Sequence, residues 1–186
     1  SESIRRVVGL PIRVGMERLL PNKTSSEHEN LEYSYKEAFG RLRRKGEIND
    51  PLYPDVCEVL DILEKDGWLL GVATGKSTRG LRMTLEKFGL INKFITLQTS
   101  DTAPGKPDPG MLINAMSEAG VNSQNTIMIG DTTFDMEMAK NARVKSIGVS
   151  WGYHPQKELN MAGASFVAKK FLMIPKLLNK IILDLS

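Results

Sequence analysis

Apolar residues along this 186-residue chain follow two different grammars. From residue 1 to about 48 they recur only at helical spacing. Ser1 or Ser3 is placed to cap a short helix ending at Gly9, Pro11 to open a second through Met16, Leu19 and Leu20, and Ser25 or Ser26 to cap a third. That third helix carries Leu31, Tyr35, Ala38, Phe39 and Leu42 on one face and stops at Gly46. Helices of this kind need something to pack on. Residues 49–54, Asn-Asp-Pro-Leu-Tyr-Pro, read as a linker, because two prolines forbid a continuous helix.

After the linker, extended runs alternate with helical stripes. Val56, Val59, Leu60 and Leu63 form a stripe, and 68–73 is an apolar run ending at Thr74-Gly75-Lys76-Ser77. A helix is predicted over 78–88, a strand over 94–98, a loop rich in Pro and Gly, and a helix over 109–119. Residues 126–129 form a short β-branched run that Gly130 breaks, after which Phe134, Met138 and Ala142 recur at helical spacing. A strand over 145–149, a loop with Trp151 and Tyr153, a strand over 165–168 and a closing helix complete the chain. Strands separated by helices of this length imply crossovers and a mainly parallel sheet, hence an α/β core over 49–186 with a helical segment over 1–48. The near-continuous apolar run at 68–73 predicts a strand buried on both faces.

Composition narrows this only at the margins. A net charge of +3 is too small and scattered to indicate nucleic acid. No stretch has the length and apolarity of a membrane span, and none resembles a signal peptide. The single cysteine, Cys57, excludes an internal disulfide framework and fits a reducing compartment, so a soluble cytoplasmic protein is expected. The nine methionines are spread out, as core filling would have them.

The candidate chemistry lies at strand ends, where open parallel sheets bind ligands. Asp131 follows the 126–129 strand and Asp135 stands one turn on, so both carboxylates can face one point at a helix start. Such a start favours an anion, and two acids beside it favour a divalent cation as well. The competing reading makes Asp131 a helix cap and Asp135 ordinary first-turn charge. Thr74 follows an earlier strand and offers a hydroxyl, with the Gly75 and Lys76 amides, to phosphate oxygens. Lys106, set in Gly105-Lys106-Pro107-Asp108-Pro109, offers a compact cation to a transferring phosphoryl group. Singly these are a helix cap and a loop lysine; together, at successive strand ends, they point to phosphoryl chemistry.

Thr74 after an apolar strand, the Lys106-Pro107 pair, and Gly130-Asp131-Thr132-Thr133-Phe134-Asp135 followed by Ala139 and Ala142 resemble motifs two, three and four of the haloacid dehalogenase superfamily of phosphohydrolases. Asp101, and Gly148-Val149 leading to Gly152-Tyr153, resemble the phosphoglycolate phosphatase branch, and residues 1–48 its small helical cap. The resemblance implies a Rossmann-like sheet with flanking helices, and phosphate-ester hydrolysis through an aspartyl-phosphate with Mg²⁺ as cofactor. It implies that Thr74 binds phosphoryl oxygens, Lys106 stabilises charge, Asp131 ligates the metal, and Asp135 supports the metal shell or pairs with Lys106. The substrate is expected to be a small phosphorylated metabolite, with no nucleic-acid or membrane partner. The Gly9-Leu10-Pro11 turn and Arg13 are candidates for contacting it from the cap, against the plainer reading of helix punctuation and a surface arginine.

The family's first motif, an apolar strand ending in Asp-x-Asp that supplies nucleophile and general acid/base, is absent: no Asp-x-Asp occurs in these residues. The chain begins where a second cap helix is expected, so it reads as an N-terminally shortened form lacking roughly 30–40 residues of strand, loop and helix. In this form little or no phosphatase activity is expected. The alternative is a non-catalytic protein of the same fold that binds phosphate ligands or partners. A response-regulator receiver combines similar groups, but in the order acids, hydroxyl, lysine, whereas here the order is Thr74, Lys106, Asp131. Ala142-Arg143 also departs from the family, which commonly has glycine after the alanine. His28 is expected on a polar helix face and His154 in a loop, neither with a chemical role; Cys57 is expected to pack, and Trp151 and Tyr153 to line the site or pack on the core.

Overall fold

The computed structural model describes residues 2–47 and 51–183; Ser1 and residues 49 and 50 of the expected linker lie outside the described residues. The first segment is helical, α1 Glu2–Arg5, α2 Ile12–Leu19 and α3 Ser25–Arg44, but α1 stops at Arg5 instead of Gly9 and holds Ser3 inside it instead of at its cap. Thr24, not Ser25 or Ser26, caps α3: its hydroxyl accepts the Glu27 N–H at 3.3 Å and the Glu27 carboxylate accepts the Thr24 N–H at 2.8 Å. This reciprocal pair satisfies two N–H groups at once, and Ser25 is free to accept Arg13 through its hydroxyl and carbonyl. His28 corrects its expected polar setting, being buried with Nε2 2.9 Å from the Leu20 carbonyl. The expected apolar face of α3 is only partly used: Tyr35 and Leu42 are exposed, while Leu31 and Phe39 are half-buried.

The remainder alternates as predicted: α4 Val56–Lys65, β1 Gly71–Ala73, α5 Thr78–Lys87, β2 Thr96–Gln98, α6 Gly110–Ala119, β3 Ile127–Gly130, α7 Thr133–Asn141, β4 Lys145–Val149, α8 Gln156–Met161, β5 Phe166–Ala168 and α9 Ile174–Leu183. α8 carries no signal in the sequence, because six residues with one buried apolar side chain, Leu159, give too little periodicity to register. All strand pairs are parallel, but they fall in two sheets, β1–β2 and β3–β4–β5. In register, Val72 faces Leu97, and Ile129, Ile147 and Phe166 line up across the larger sheet.

Helices cover both faces. Val59 and Leu63 of α4 and Ile174, Leu178 and Ile181 of α9 pack with Ile147 and Val149. Met111 and Leu112 of α6 and Met138 and Ala139 of α7 pack with Met128. Several methionines thus fill the core, although Met161 is 78% exposed.

β1 is shorter than the predicted 68–73 strand and is not buried on both faces; Leu69 and Gly71 are exposed. The reason is on its far side, where a cavity of about 490 Å³ runs between β1 and β3, lined by Val72, Ala73, Leu112, Met116, Ile127 and Ile129. Close-packed interiors rarely leave such a void. Both strands end beneath the same turn: the Cβ position of Gly75 lies 3.8 Å from the Gly9 carbonyl, and that of Gly9 lies 3.1 Å from the Thr132 side chain. β1 and β3 therefore run the same way on either side of the slot.

Candidate active site

The geometry begins with α7. Thr132 caps it, its hydroxyl 3.3 Å from the Asp135 N–H, while Asp135 Oδ2 accepts the Thr132 N–H at 3.0 Å and the Thr132 hydroxyl at 2.8 Å. The cap is Thr132 and not Asp131, which leaves Asp131 outside the helix with its side chain available. The other oxygen of Asp135 accepts the Lys106 ammonium at 2.5 Å, and both side chains are buried. Lys106 reaches this point from the loop after β2, whose Pro107 carbonyl accepts Asn141 Nδ2 at 3.0 Å; the Lys106–Pro107 bond is cis. Of the two parts expected for Asp135, support of a metal shell or pairing with Lys106, the pairing is the one displayed.

Asp131 is wrapped by the loop after β4. Tyr153 N–H donates to Asp131 Oδ2 at 3.0 Å and His154 N–H to the Asp131 carbonyl at 3.1 Å. Gly152 lies so close to the Asp131 side chain that a Cβ there would collide with it. Burial pushes the Asp131 carboxyl above its usual range, and the Asp135 charge pushes it further; the Tyr153 amide and the Lys106 charge pull the other way without cancelling the rise. Asp131 is thus a partly desolvated carboxylate short of positive charge.

The start of α7 differs from the expected anion site. The Thr133 N–H donates to His154 Nδ1 at 3.1 Å, and the Thr132 and Asp135 N–H groups serve the cap. Three amides at this helix end are thus engaged by the Asp135 carboxylate, the Thr132 hydroxyl and the His154 ring. The turn after β1 is more open. Thr74 N–H donates to the Gln98 carbonyl at 2.9 Å, and the Thr74 hydroxyl accepts the Lys76 N–H at 3.2 Å, so the Lys76 amide is already engaged. The Gly75 N–H has no partner among the described residues. Ser77, not Thr74, caps α5, and the Asp101 carboxylate accepts the Thr78 N–H at 2.8 Å.

No hydrogen bond among the described residues links Thr74 to Lys106 or Asp131, but the Gly9-Leu10-Pro11 turn touches all three loops. Gly9 lies against Thr132, the Gly9 and Leu10 carbonyls lie over Gly75, and Pro11 sits so close to Gly105 that a Cβ there would collide with it. Arg13 is not part of this cluster; its guanidinium bonds Glu17 at 2.8 Å and Ser25. Arg5 reaches the Gly152 carbonyl at 3.2 Å, tying the helical segment to the loop around Asp131, and Arg6 bonds Glu158 of α8 at 3.1 Å.

Two residues near the site escaped the sequence. Tyr53 packs edge-on against Trp151 at 6.4 Å, and its hydroxyl is pushed up by burial and by the Asp131 charge. Nothing in a Pro-flanked linker signals this. His154 lies in the loop expected for it but is buried there, and its ring bonds the start of α7. Trp151 packs on the core and against Phe171 at 5.6 Å. Cys57 is exposed, not packed. No helix among the described residues is long and apolar enough to cross a membrane.

Comparison with known proteins identifies the family. The family model for haloacid dehalogenase-like hydrolases matches residues 1–149. A probable phosphatase of Dickeya dadantii is 32% identical over 170 residues, covering 91% of this chain and 74% of that protein. A phosphoglycolate phosphatase of Colwellia psychrerythraea is 30% identical over 176 residues, covering 92% and 78%. The crystal structure of a hydrolase from Pseudomonas syringae superposes with a TM-score of 0.82 at 26% identity, covering 96% of this chain and 82% of that one. On these residues and this fold, the chain belongs to the haloacid dehalogenase-like hydrolase family.

Proposed function

We propose that this protein is a phosphatase of a small, phosphoglycolate-like phosphate monoester, using Mg²⁺ and an aspartyl-phosphate on a nucleophile outside residues 1–186. The observation that carries the reading is the buried Lys106–Asp135 pair beside Asp131, a carboxylate that burial and a neighbouring acid leave short of positive charge. A hard cation fits it: one Asp131 oxygen accepts no hydrogen bond from another described residue. Among the described residues no cluster of three or more His, Cys, Asp or Glu forms. Mg²⁺ sites of one or two carboxylates completed by phosphate oxygens and water need none. Bound there, the ion would neutralise charge on the phosphoryl group.

The chain's own residues do the rest. The Thr74 hydroxyl and the Gly75 N–H hold phosphoryl oxygens. Lys106, its ammonium held by Asp135, faces charge shared between nucleophile and phosphate. On the segment outside these residues, one Asp of the Asp-x-Asp pair would form an O–P bond as the ester O–P bond breaks, and the second would give its proton to the leaving oxygen, then take one from the water that cleaves the acyl phosphate to inorganic phosphate. The Gly9-Leu10-Pro11 turn excludes water above the three loops.

The slot between β1 and β3 supports a place for the nucleophile. An apolar strand added there would pair with both edges and bring an Asp at its end between Thr74 and Asp131. The test uses the protein as its own cells make it: intact mass, N-terminal sequence, then Mg²⁺-dependent phosphate release from phosphoglycolate, sugar phosphates and pyrophosphate. A longer chain with an apolar strand ending in Asp-x-Asp and turnover of a monoester is expected. Phosphate binding without turnover would overturn the enzymatic reading in favour of a binding protein. Equal turnover by residues 1–186 alone would overturn the slot-borne nucleophile.

A further inference from the structure

We propose that His154 is a positioning residue for the Asp131 carboxylate and hence for the cation it holds; this rests on Asp131 being a metal ligand. His154 Nδ1 lies 3.1 Å from the Thr133 amide nitrogen. An amide N–H only donates, so Nδ1 must carry the lone pair and the ring proton must sit on Nε2. Thr133 is the first residue of α7, and its N–H has no partner within the helix. The imidazole supplies that partner from a loop 21 residues further along the chain.

The same residue grips the other side of the Asp131-Thr132 corner. Its backbone N–H donates to the Asp131 carbonyl at 3.1 Å, while its neighbour Tyr153 donates to Asp131 Oδ2 at 3.0 Å. The chain on both sides of Thr132 is therefore clamped to residues 153 and 154. Loss of the ring bond would free the Thr133 end, and with it the backbone from which the Asp131 side chain projects.

A residue kept only to fill space does not need an imidazole here. The residue is 5% exposed and its ring lies edge-on to Phe134 at 5.5 Å, a setting that suits an apolar side chain. Nε2 is buried with no partner, the single such side-chain atom among the described residues. Burying an unbonded polar atom is unfavourable. The orphaned Nε2 is offset by what Nδ1 does, so the acceptor at Nδ1 is the reason for the residue.

The test is Mn²⁺ affinity, read by electron paramagnetic resonance on the native full-length protein, for His154→Asn, His154→Gln, His154→Leu and Asp131→Asn. The Asn side-chain oxygen can stand where Nδ1 stands, whereas Gln places its amide where Nε2 stands. The expected result is a loss of at least ~10-fold for the Leu and Gln variants and affinity close to that of the unsubstituted protein for Asn. Thermal unfolding without metal checks that the variants fold. If Asp131→Asn binds Mn²⁺ undiminished, the metal reading falls and this inference with it. If Asp131→Asn weakens binding but the Leu and Gln variants do not, or if Asn binds as poorly as Leu, the positioning role is overturned while the metal reading stands.

Discussion

The two sheets of this molecule are built to different standards. In β3–β4–β5 the middle strand is paired on both edges, and Ser146, Ile147, Gly148 and Val149 are all buried. The acidic corner at its end has its backbone and carboxylates bonded by Thr132, Tyr153, His154 and Lys106. In β1–β2 each strand has one partner, β1 borders the cavity, and the loop at its end keeps an unbonded Gly75 N–H. The closed half fixes charges that repel each other and need rigid support. The open half keeps the Gly75 N–H unspent, as the proposed phosphate site requires.

The contrast can be broken first at Lys106. Lys106→Ala leaves Asp135 as a buried carboxylate without its cation, so urea denaturation should show a loss of about 3–5 kcal/mol. The double variant Lys106→Met with Asp135→Asn should recover much of that stability without recovering turnover. A single variant as stable as the original would show that the pair does not organise the closed half.

Next in size, Asp131→Asn should lower Mg²⁺-dependent turnover of the full-length enzyme by ~10²-fold or more while slightly stabilising the metal-free protein. The sign follows from the raised carboxyl. Its contribution to stability is present in acid and is lost as pH rises through its elevated pKa, because the ionised form is disfavoured in the fold. The neutral amide removes that loss, so melting curves of the metal-free variant should be flatter with pH than those of the parent. Unchanged turnover removes Asp131 from the metal site.

A third measurement sharpens the comparison directly. Amide exchange should be slow across β4 and faster at Ala73 and Ile129, whose N–H groups alternate away from the β1–β2 and β3–β4 ladders towards the slot. If a strand fills the slot in the native protein, those amides should slow towards β4 values; continued fast exchange in the native protein would leave the slot unfilled.

The smallest effect is expected at Arg143, which holds φ +59° where α7 turns into β4. Arg143→Gly should stabilise by about 0.5–1 kcal/mol, since glycine adopts that conformation without the steric penalty. The departure from the family's glycine therefore costs strain at the helix end and leaves the chemistry alone. A lower melting temperature for the glycine variant would contradict this.

Much of the site was legible in the sequence, because Thr74, Lys106 and Asp131 follow apolar runs that a parallel sheet must align. Asp135 was found by its spacing, but its bond to Lys106 depends on where the β2 loop folds back. Arg13 was a candidate substrate contact against the plainer reading of a surface arginine, and its guanidinium bonds Glu17 and Ser25. His154 and Tyr53 carried no local signal, since what each touches lies 21 and 98 residues away in the chain.

What the sequence determined by itself is the order of elements and the residues at strand ends, because periodicity, turn formers and side-chain chemistry are local properties of the chain. The tertiary structure decided which of those residues stay unspent: the Thr132, Thr133 and Asp135 amides were engaged by Asp135, His154 and Thr132, while Asp131 was left partly desolvated, its carboxyl raised by burial and by Asp135. It also decided that the sheet stands in two parts around an apolar slot. Burial, hydrogen-bond competition and strand pairing depend on what arrives from elsewhere in the chain, and that is set only when the chain has folded.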